Sequence, residues 1–184
     1  MKATGELRSE HSGILHMLEI LEAICDTKRT GETFPVDHMD DIIEFLRVFV
    51  DQCHHGKEED FLFPELERTG VQREGGPIGV MLYEHEQGRK LVKEMAAALH
   101  ALRESRQQDA SDLQQHARAY IDLLRQHIEK ENNFLFIMAE QRLSSKIQDD
   151  MADSFETLER ERIGEGRHEA FHELMDQLSA VYLR

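Results

Sequence analysis

Hydrophobic residues near the start of the chain recur at alternating spacings of four and three, which is the period of one face of an α-helix. The residues on this face are Leu7, His11, Ile14, Leu18, Leu21 and Cys25. His11 therefore occupies a position on the apolar face, where a polar side chain needs a specific partner. The pattern predicts a first helix over residues 5–28.

Three further segments show the same helical period, beginning near positions 37, 77 and 111. Pro64 is expected to kink or end the second of them, because proline lacks the amide hydrogen that a helix interior requires. A loop around Gly31, a glycine-rich stretch at 69–77 and a turn at 105–110 separate the segments. The four segments predict an all-α protein with an antiparallel four-helix bundle in residues 1–143.

The remaining residues, 144–184, predict one or two additional C-terminal helices. Two apolar helical faces are separated by glycines at 164 and 166. We expect this extension to pack on the bundle or on a partner subunit, because each face needs an apolar surface to cover it.

The bundle region contains one pattern twice, at residues 54–63 and 127–136. Histidine, lysine, glutamate and Phe-Leu-Phe recur at identical offsets in the two copies. A Glu-His pair precedes each copy, and its histidine, His11 or His85, lies 43 or 42 residues before the histidine of the copy. An internal duplication accounts for this agreement.

The repeated residues have the types and spacing of metal ligands. Positions i and i+4 of an α-helix lie on one face, so each His-x-x-x-Glu can direct both side chains at one point. Four helices would bring together four imidazoles and two carboxylates: His11, His54, Glu58, His85, His127 and Glu131. This set suits a pair of first-row metal ions with bridging carboxylates. A metal-free bundle is the alternative, but burying six such groups without a cation is costly.

The first copy offers two choices for each ligand, His54 or His55 and Glu58 or Glu59. Only His54 and Glu58 align with a histidine and a glutamate in the second copy, where Ile128 stands opposite His55. The sequence therefore assigns His55 and Glu59 to positions around the ligands or on the surface.

The composition narrows the class of protein. The chain has 184 residues, 40% of them hydrophobic, and a formal net charge of -15. Such a charge disfavours nucleic acids and anionic membranes as partners. The sequence shows no signal peptide and no apolar run long enough to span a bilayer, which predicts a cytoplasmic protein.

These residues resemble the hemerythrin-like, or HHE cation-binding, domain family over about residues 5 to 142. The resemblance rests on Glu-His at 10–11 and 84–85 and on the two His-x-x-x-Glu motifs followed by Leu-Phe. It implies an up-down-up-down four-helix bundle with two iron ions, bridged by carboxylates and by an oxo or hydroxo group. Manganese or zinc would fit the same ligand types.

The resemblance also implies binding or sensing of oxygen, nitric oxide or iron, and we expect a small ligand, namely oxygen, nitric oxide or peroxide. Oxygen-carrying members have a second histidine on the third helix, at the position where this chain has Arg89. Their carboxylate on the fourth helix is an aspartate five residues after the histidine, whereas Glu131 follows His127 by four residues. These departures argue against reversible oxygen carriage, and Arg89 could stabilise an anionic ligand. A sensor is the leading hypothesis, with no catalytic residue assigned. The alternative functions are a di-iron oxidase or peroxidase and an iron-responsive interaction module. A homodimer is also compatible with the sequence.

Overall fold

A computed structural model describes residues 2–26, 34–104 and 109–183 of the chain. These residues form six helices and no β-strand, which confirms the predicted all-α class. The helices are α1 (Ala3–Asp26), α2 (36–68), α3 (Pro77–Glu104), α4 (111–142), α5 (145–163) and α6 (Arg167–Tyr182). The predicted loop around Gly31 and most of the turn at 105–110 lie outside the described residues.

Two hydrophobic clusters form the core. One takes residues from α1 to α4 and from α6, among them Leu18, Phe49, Met95, Leu124 and Phe171. The other takes residues from α1 to α5, among them Leu7, Leu62, Ile78, Phe136 and Phe155. The predicted ligand residues lie where one cluster gives way to the other along α1 to α4. Along α1 and α3 the residues of the second cluster come before those of the first, and along α2 and α4 they come after them. This alternation is consistent with the predicted up-down-up-down bundle.

Helix α2 continues through Pro64, so the proline does not end it. Pro64 lies in the first turn of the α-helical stretch Phe63–Arg68, directly after a wider π-helical stretch, Glu58–Leu62. The same π-helical geometry occurs at Glu131–Leu135 in α4, where the following turn contains no proline. The wider turn therefore accompanies the two proposed glutamate ligands rather than the proline, as is common for π-helical turns at functional sites.

The C-terminal helices pack on the bundle. Phe155 of α5 joins the second cluster, and Phe171 of α6 joins the first. The break between α5 and α6 falls at the predicted glycines, since Gly164 and Gly166 have φ angles of 92° and 79°. Those angles suit glycine, which has no Cβ to clash in the left-handed region. Among the described residues, no helix is both long enough and apolar enough to cross a membrane.

Acid is expected to weaken the docking of α5. The His168 ring, and after it the Lys57 ammonium, lower the pKa of Glu159 to about 2 from its ordinary value of 4.5. The stabilisation is therefore complete above pH 4.5 and is lost as the pH falls toward 2. Over this window we expect the free energy of unfolding of the metal-free wild type to fall by about 1–2 kcal/mol more than that of Glu159→Gln, allowing for solvent screening. Urea unfolding at a series of pH values measures the difference, and parallel profiles would contradict it.

Candidate metal centre

The four histidines predicted as ligands come from four different helices, and their rings meet inside the bundle. His11, His54, His85 and His127 are each 1% exposed. Nε2 of His11 lies 3.0 Å from Nε2 of His54, and Nε2 of His85 lies 3.2 Å from Nε2 of His127. Two nitrogen ligands about 2.1 Å from one ion and at right angles to each other are about 3 Å apart. The spacing within each pair is therefore that of ligands to a shared ion.

Two carboxylates, those of Glu58 and Glu131, lie between the histidine pairs. Both side chains are completely buried. Glu131 has Oε2 3.1 Å from Nε2 of His11 and Oε1 3.2 Å from Nε2 of His127. Glu58 spans the pairs in the same way, with its oxygens 3.4 Å and 3.8 Å from the Nε2 atom of a histidine in each pair. Each carboxylate can therefore bridge two ligand groups.

His55 also joins the site, which the alignment of the two copies did not predict. It is 3% exposed, and its ring stacks on that of His85 with centroids 3.8 Å apart. Oδ1 of Asp51 lies 3.6 Å from its Nδ1, beyond hydrogen-bond distance. The expectation of a surface position for His55 is therefore corrected, because the ring is buried and lies directly beside His85.

Two sets of four buried residues each bring their ligand atoms within 4.8 Å of one another. The first set, the His11 group, consists of His11, His54, Glu58 and Glu131. The second set, the His85 group, consists of His55, Glu58, His85 and His127. All six residues singled out by the sequence lie in these groups, and His55 is the seventh.

The backbone explains why one copy of the repeat supplies two histidines. The stretch Leu46–His55 is π-helical, whereas the corresponding part of α4, within Ser111–Lys130, is α-helical. Consecutive side chains on the wider π turn are rotated by less than the about 100° of an α-helix. Both His54 and His55 therefore face the interior of the bundle. In α4 the residue that aligns with His55 is Ile128, which belongs to the hydrophobic core.

The structure fits a metal because its buried polar atoms lack other partners. Among the described residues, none hydrogen-bonds to either oxygen of Glu58 or Glu131, or to either ring nitrogen of His55. The neighbouring imidazole nitrogens lie 3.1 to 3.8 Å from these carboxylate oxygens without forming a hydrogen bond to them. Leaving such groups buried and unpartnered is costly, and a cation would satisfy all of them.

The outer nitrogen of each of the other four histidines is held by an acceptor. The Nδ1 partners are Asn132 for His11 at 3.0 Å, Glu10 for His54 at 2.8 Å, Glu59 for His85 at 2.7 Å and Glu84 for His127 at 2.9 Å. Such contacts orient the ring and leave Nε2 free to bind a metal. The recurrence of Glu10 and Glu84 in the two Glu-His pairs was the sequence signal for this role, which the predicted set of six ligands does not include.

Burial and neighbouring side chains shift the pKa values of Glu58, Glu131 and His127. Burial and the nearby Glu131 raise the pKa of Glu58 well above its usual value. Burial acts on Glu131 too, but the His127 and His11 rings lower its pKa well below the usual value. Burial opposes the charge on His127, but Glu131 and Glu84 raise its pKa to about 9. Metal binding would therefore release protons, so affinity should fall as the pH falls.

Arg89 lies beside the ligands and is already paired. Its Nε donates to Oδ1 of Asp51 at 2.7 Å, and its Nη2 donates to Oε1 of Glu59 at 2.6 Å. The same oxygen of Glu59 is the partner of His85. The guanidinium therefore supports the carboxylate that orients His85.

We expect Arg89→Met to weaken metal binding in the His85 group by several-fold, because it removes the support of Glu59. The effect should be smaller than the about 10–100-fold seen when a direct partner of a ligand is lost. Metal titration of the variant measures this change. Unchanged metal affinity combined with weaker azide binding would instead favour Arg89 as a contact for an anionic ligand.

Comparison with known proteins places the chain in a family. Residues 2–139 match the profile of the hemerythrin HHE cation-binding domain, so the protein belongs to that family. It is 26% identical over 179 residues to uncharacterized proteins of Mycobacterium tuberculosis (Rv1995) and Mycobacterium bovis (Mb2018). The alignment covers 97% of this chain and 68% of each relative. No solved structure matches the chain significantly.

Proposed function

We propose that this protein holds two iron ions and uses them to bind or sense a small ligand such as oxygen, nitric oxide or peroxide. The observation that carries the proposal is the pair of ligand groups that share Glu58 and are both contacted by Glu131. Membership of a cation-binding family supports a metal in this position. Two groups joined by carboxylates fit two ions better than one.

The resemblance to hemerythrin-like proteins favours iron, whereas the donors also accommodate other first-row metals. Imidazole and carboxylate ligands suit iron, manganese and zinc, so the ligand types do not select among them. When bound, iron would supply redox chemistry and an open coordination position for the ligand. The His85 group has three imidazoles and the His11 group has two. We infer that His55 takes the place of the second third-helix histidine of oxygen-carrying members, whose position holds Arg89 in this chain.

Limited space around the centre supports a small ligand. Every one of the seven ligand residues is at most 3% exposed. A cleft of about 90 Å³ between α2 and α3 reaches His55, and its wall includes Gly88, Arg89 and Tyr120. A molecule of a few atoms fits this space, whereas a large substrate does not.

The proposal is tested by elemental analysis and an optical spectrum of protein purified in air. We expect about two irons per chain and near-ultraviolet absorption from oxygen ligands to ferric iron, both reduced in His127→Ala. Replacing the exposed His100 by alanine gives a control in which both stay at wild-type values. Wild-type protein that binds no transition metal would overturn the proposal.

An oxidase or peroxidase is the second candidate, since the same centre could turn over. Repeated addition of reductant to the diferrous protein in air distinguishes the two: an enzyme completes many cycles, whereas a sensor completes one. The third candidate is an iron-responsive interaction module. For such a module, limited proteolysis should cleave residues 145–182 at different rates with and without iron.

A further inference from the structure

Lys57 of α2 is a charged side chain that lies entirely inside the protein, with 0% exposure. Its Nζ contacts Oε1 of Glu10 and Oε1 of Glu159, and lies 2.8 Å from Oε1 of Glu6. The ring of Phe155 lies 5.4 Å from the same nitrogen. A buried ammonium persists only when it is well paired. Here α1 supplies two of the carboxylates and α5 supplies the third.

This buried ammonium is linked to a metal ligand through one side chain. Glu10 contacts Lys57 with Oε1, and its Oε2 lies 2.8 Å from Nδ1 of His54. A continuous series of contacts therefore connects Glu159 of α5 with His54. Glu10, Cys53 and Glu159 are also spaced to hold a metal, but the Lys57 ammonium already occupies the space between the two carboxylates.

The other half of the bundle contains the same arrangement without a contribution from α5. Nζ of Lys130 contacts Oε1 of Glu84, and Oε2 of Glu84 lies 2.9 Å from Nδ1 of His127. The Lys130 side chain is 37% exposed, and Glu84 is its one carboxylate partner among the described residues. Solvent can therefore stabilise Lys130, whereas Lys57 depends on its protein partners.

Helix α5 lies close against α2 at this point. A Cβ atom added at Gly56, the neighbour of Lys57, would lie 3.6 Å from Cδ1 of Leu158. One turn further along, Arg162 of α5 forms an ion pair with Asp60 of α2. These contacts hold Glu159 over the buried ammonium.

We propose that Glu159 and Lys57 are positioning residues for the metal centre and act on His54 through Glu10. Docking of α5 fixes the ammonium, the ammonium fixes the Glu10 carboxylate, and this carboxylate sets the orientation and basicity of His54. The inference rests on the proposed metal binding. Because α5 lies beyond the residues matched by the family profile, the extension would tune one ligand group of the domain and leave the other unaffected.

The test is a titration of the metal-free chain of 184 residues with cobalt(II), a spectroscopic substitute for iron. Wild-type protein should bind two ions per chain. In Glu159→Gln we expect one of the two affinities to fall by about tenfold, at the lower end of the range for lost outer partners. Glu161→Gln changes an exposed carboxylate of the same helix and should match the wild type.

Paramagnetic proton NMR of the cobalt protein identifies which group responds, because each ligand histidine with an Nδ1–H gives its own shifted, exchangeable signal. Glu159→Gln should move the His54 signal and leave that of His127 in place. Lys130→Met should do the reverse. A merely structural loss of stability would not move one signal alone. If Glu159→Gln does not fold, Glu159→Asp, which keeps the charge but shortens its reach, should shift the His54 signal in the same direction.

Two outcomes would overturn the inference. If wild-type protein binds two cobalt ions and Glu159→Gln matches it in both affinities and in the His54 signal, α5 has no influence on the site, while the metal-centre proposal stands. If the wild type binds no cobalt in the bundle, the metal-centre proposal fails and this inference fails with it.

Discussion

Replacing Glu58 by glutamine is expected to weaken metal binding by about 100-fold or more, which corresponds to ~3 kcal/mol. Glu58 belongs to both ligand groups, so a single substitution removes a donor from each. An amide is a poor bridging ligand because it carries no charge and offers only one oxygen. Titration with ferrous iron under anaerobic conditions measures the loss.

The same variant should leave the metal-free protein nearly as stable as the wild type. Burial and Glu131 raise the pKa of Glu58, so without a metal its carboxyl group is best accommodated in the neutral form. Glutamine has the same shape and is also neutral, so we expect the free energy of unfolding to change by less than about 1 kcal/mol. Iron should then raise the melting temperature of the wild type but not of Glu58→Gln.

Glu129→Gln is a matched control, because Glu129 is an exposed glutamate two positions from a proposed ligand. It should bind iron like the wild type. If Glu58→Gln also retained two tightly bound irons, neither ion could depend on the shared carboxylate. The two groups would then not form one centre.

The second large effect is expected for His55→Ala. This substitution removes one of the three imidazoles of the His85 group and none from the His11 group. We expect one iron to remain bound as in the wild type and the other to bind more weakly by at least about 10–100-fold, which is the loss when only an outer partner of a ligand is removed. Iron content after gel filtration in the presence of a weak chelator separates the two ions.

The control for His55→Ala is His16→Ala, since the His16 side chain is 40% exposed and lies outside both groups. The symmetric six-ligand site drawn from the repeat predicts a different result, namely that His55→Ala retains both irons. The experiment therefore distinguishes the site in the structure from the site that the sequence implied.

Much of the fold follows from the hydrophobic period, because amphipathic helices must cover their apolar faces. The six predicted ligands are buried together for a related reason. His11 and His127 occupy positions in the apolar stripes of their helices, and polar residues at such positions need a shared partner. The repeat then indicated which histidines and glutamates belong to one set.

His55 could not be found in this way, because the two halves of the bundle differ in backbone geometry. The duplication pointed to Ile128 at the matching position and so argued against His55. Its inward direction depends on the π-helical turn Leu46–His55, and no local residue pattern in the sequence indicated that turn. The contact between Lys57 and Glu159 could not be predicted from the sequence either, because the two residues are 102 positions apart and meet only when α5 docks on the bundle.

The central claim is that two ions lie between Glu58 and Glu131, one in each ligand group. The most direct test is a crystal of the iron-loaded protein with anomalous scattering measured at the iron edge. We predict two peaks about 3.5–4 Å apart inside the bundle, one next to His11 and His54 and one next to His85 and His127. A single peak, or iron found only on the acidic surface, would contradict this account.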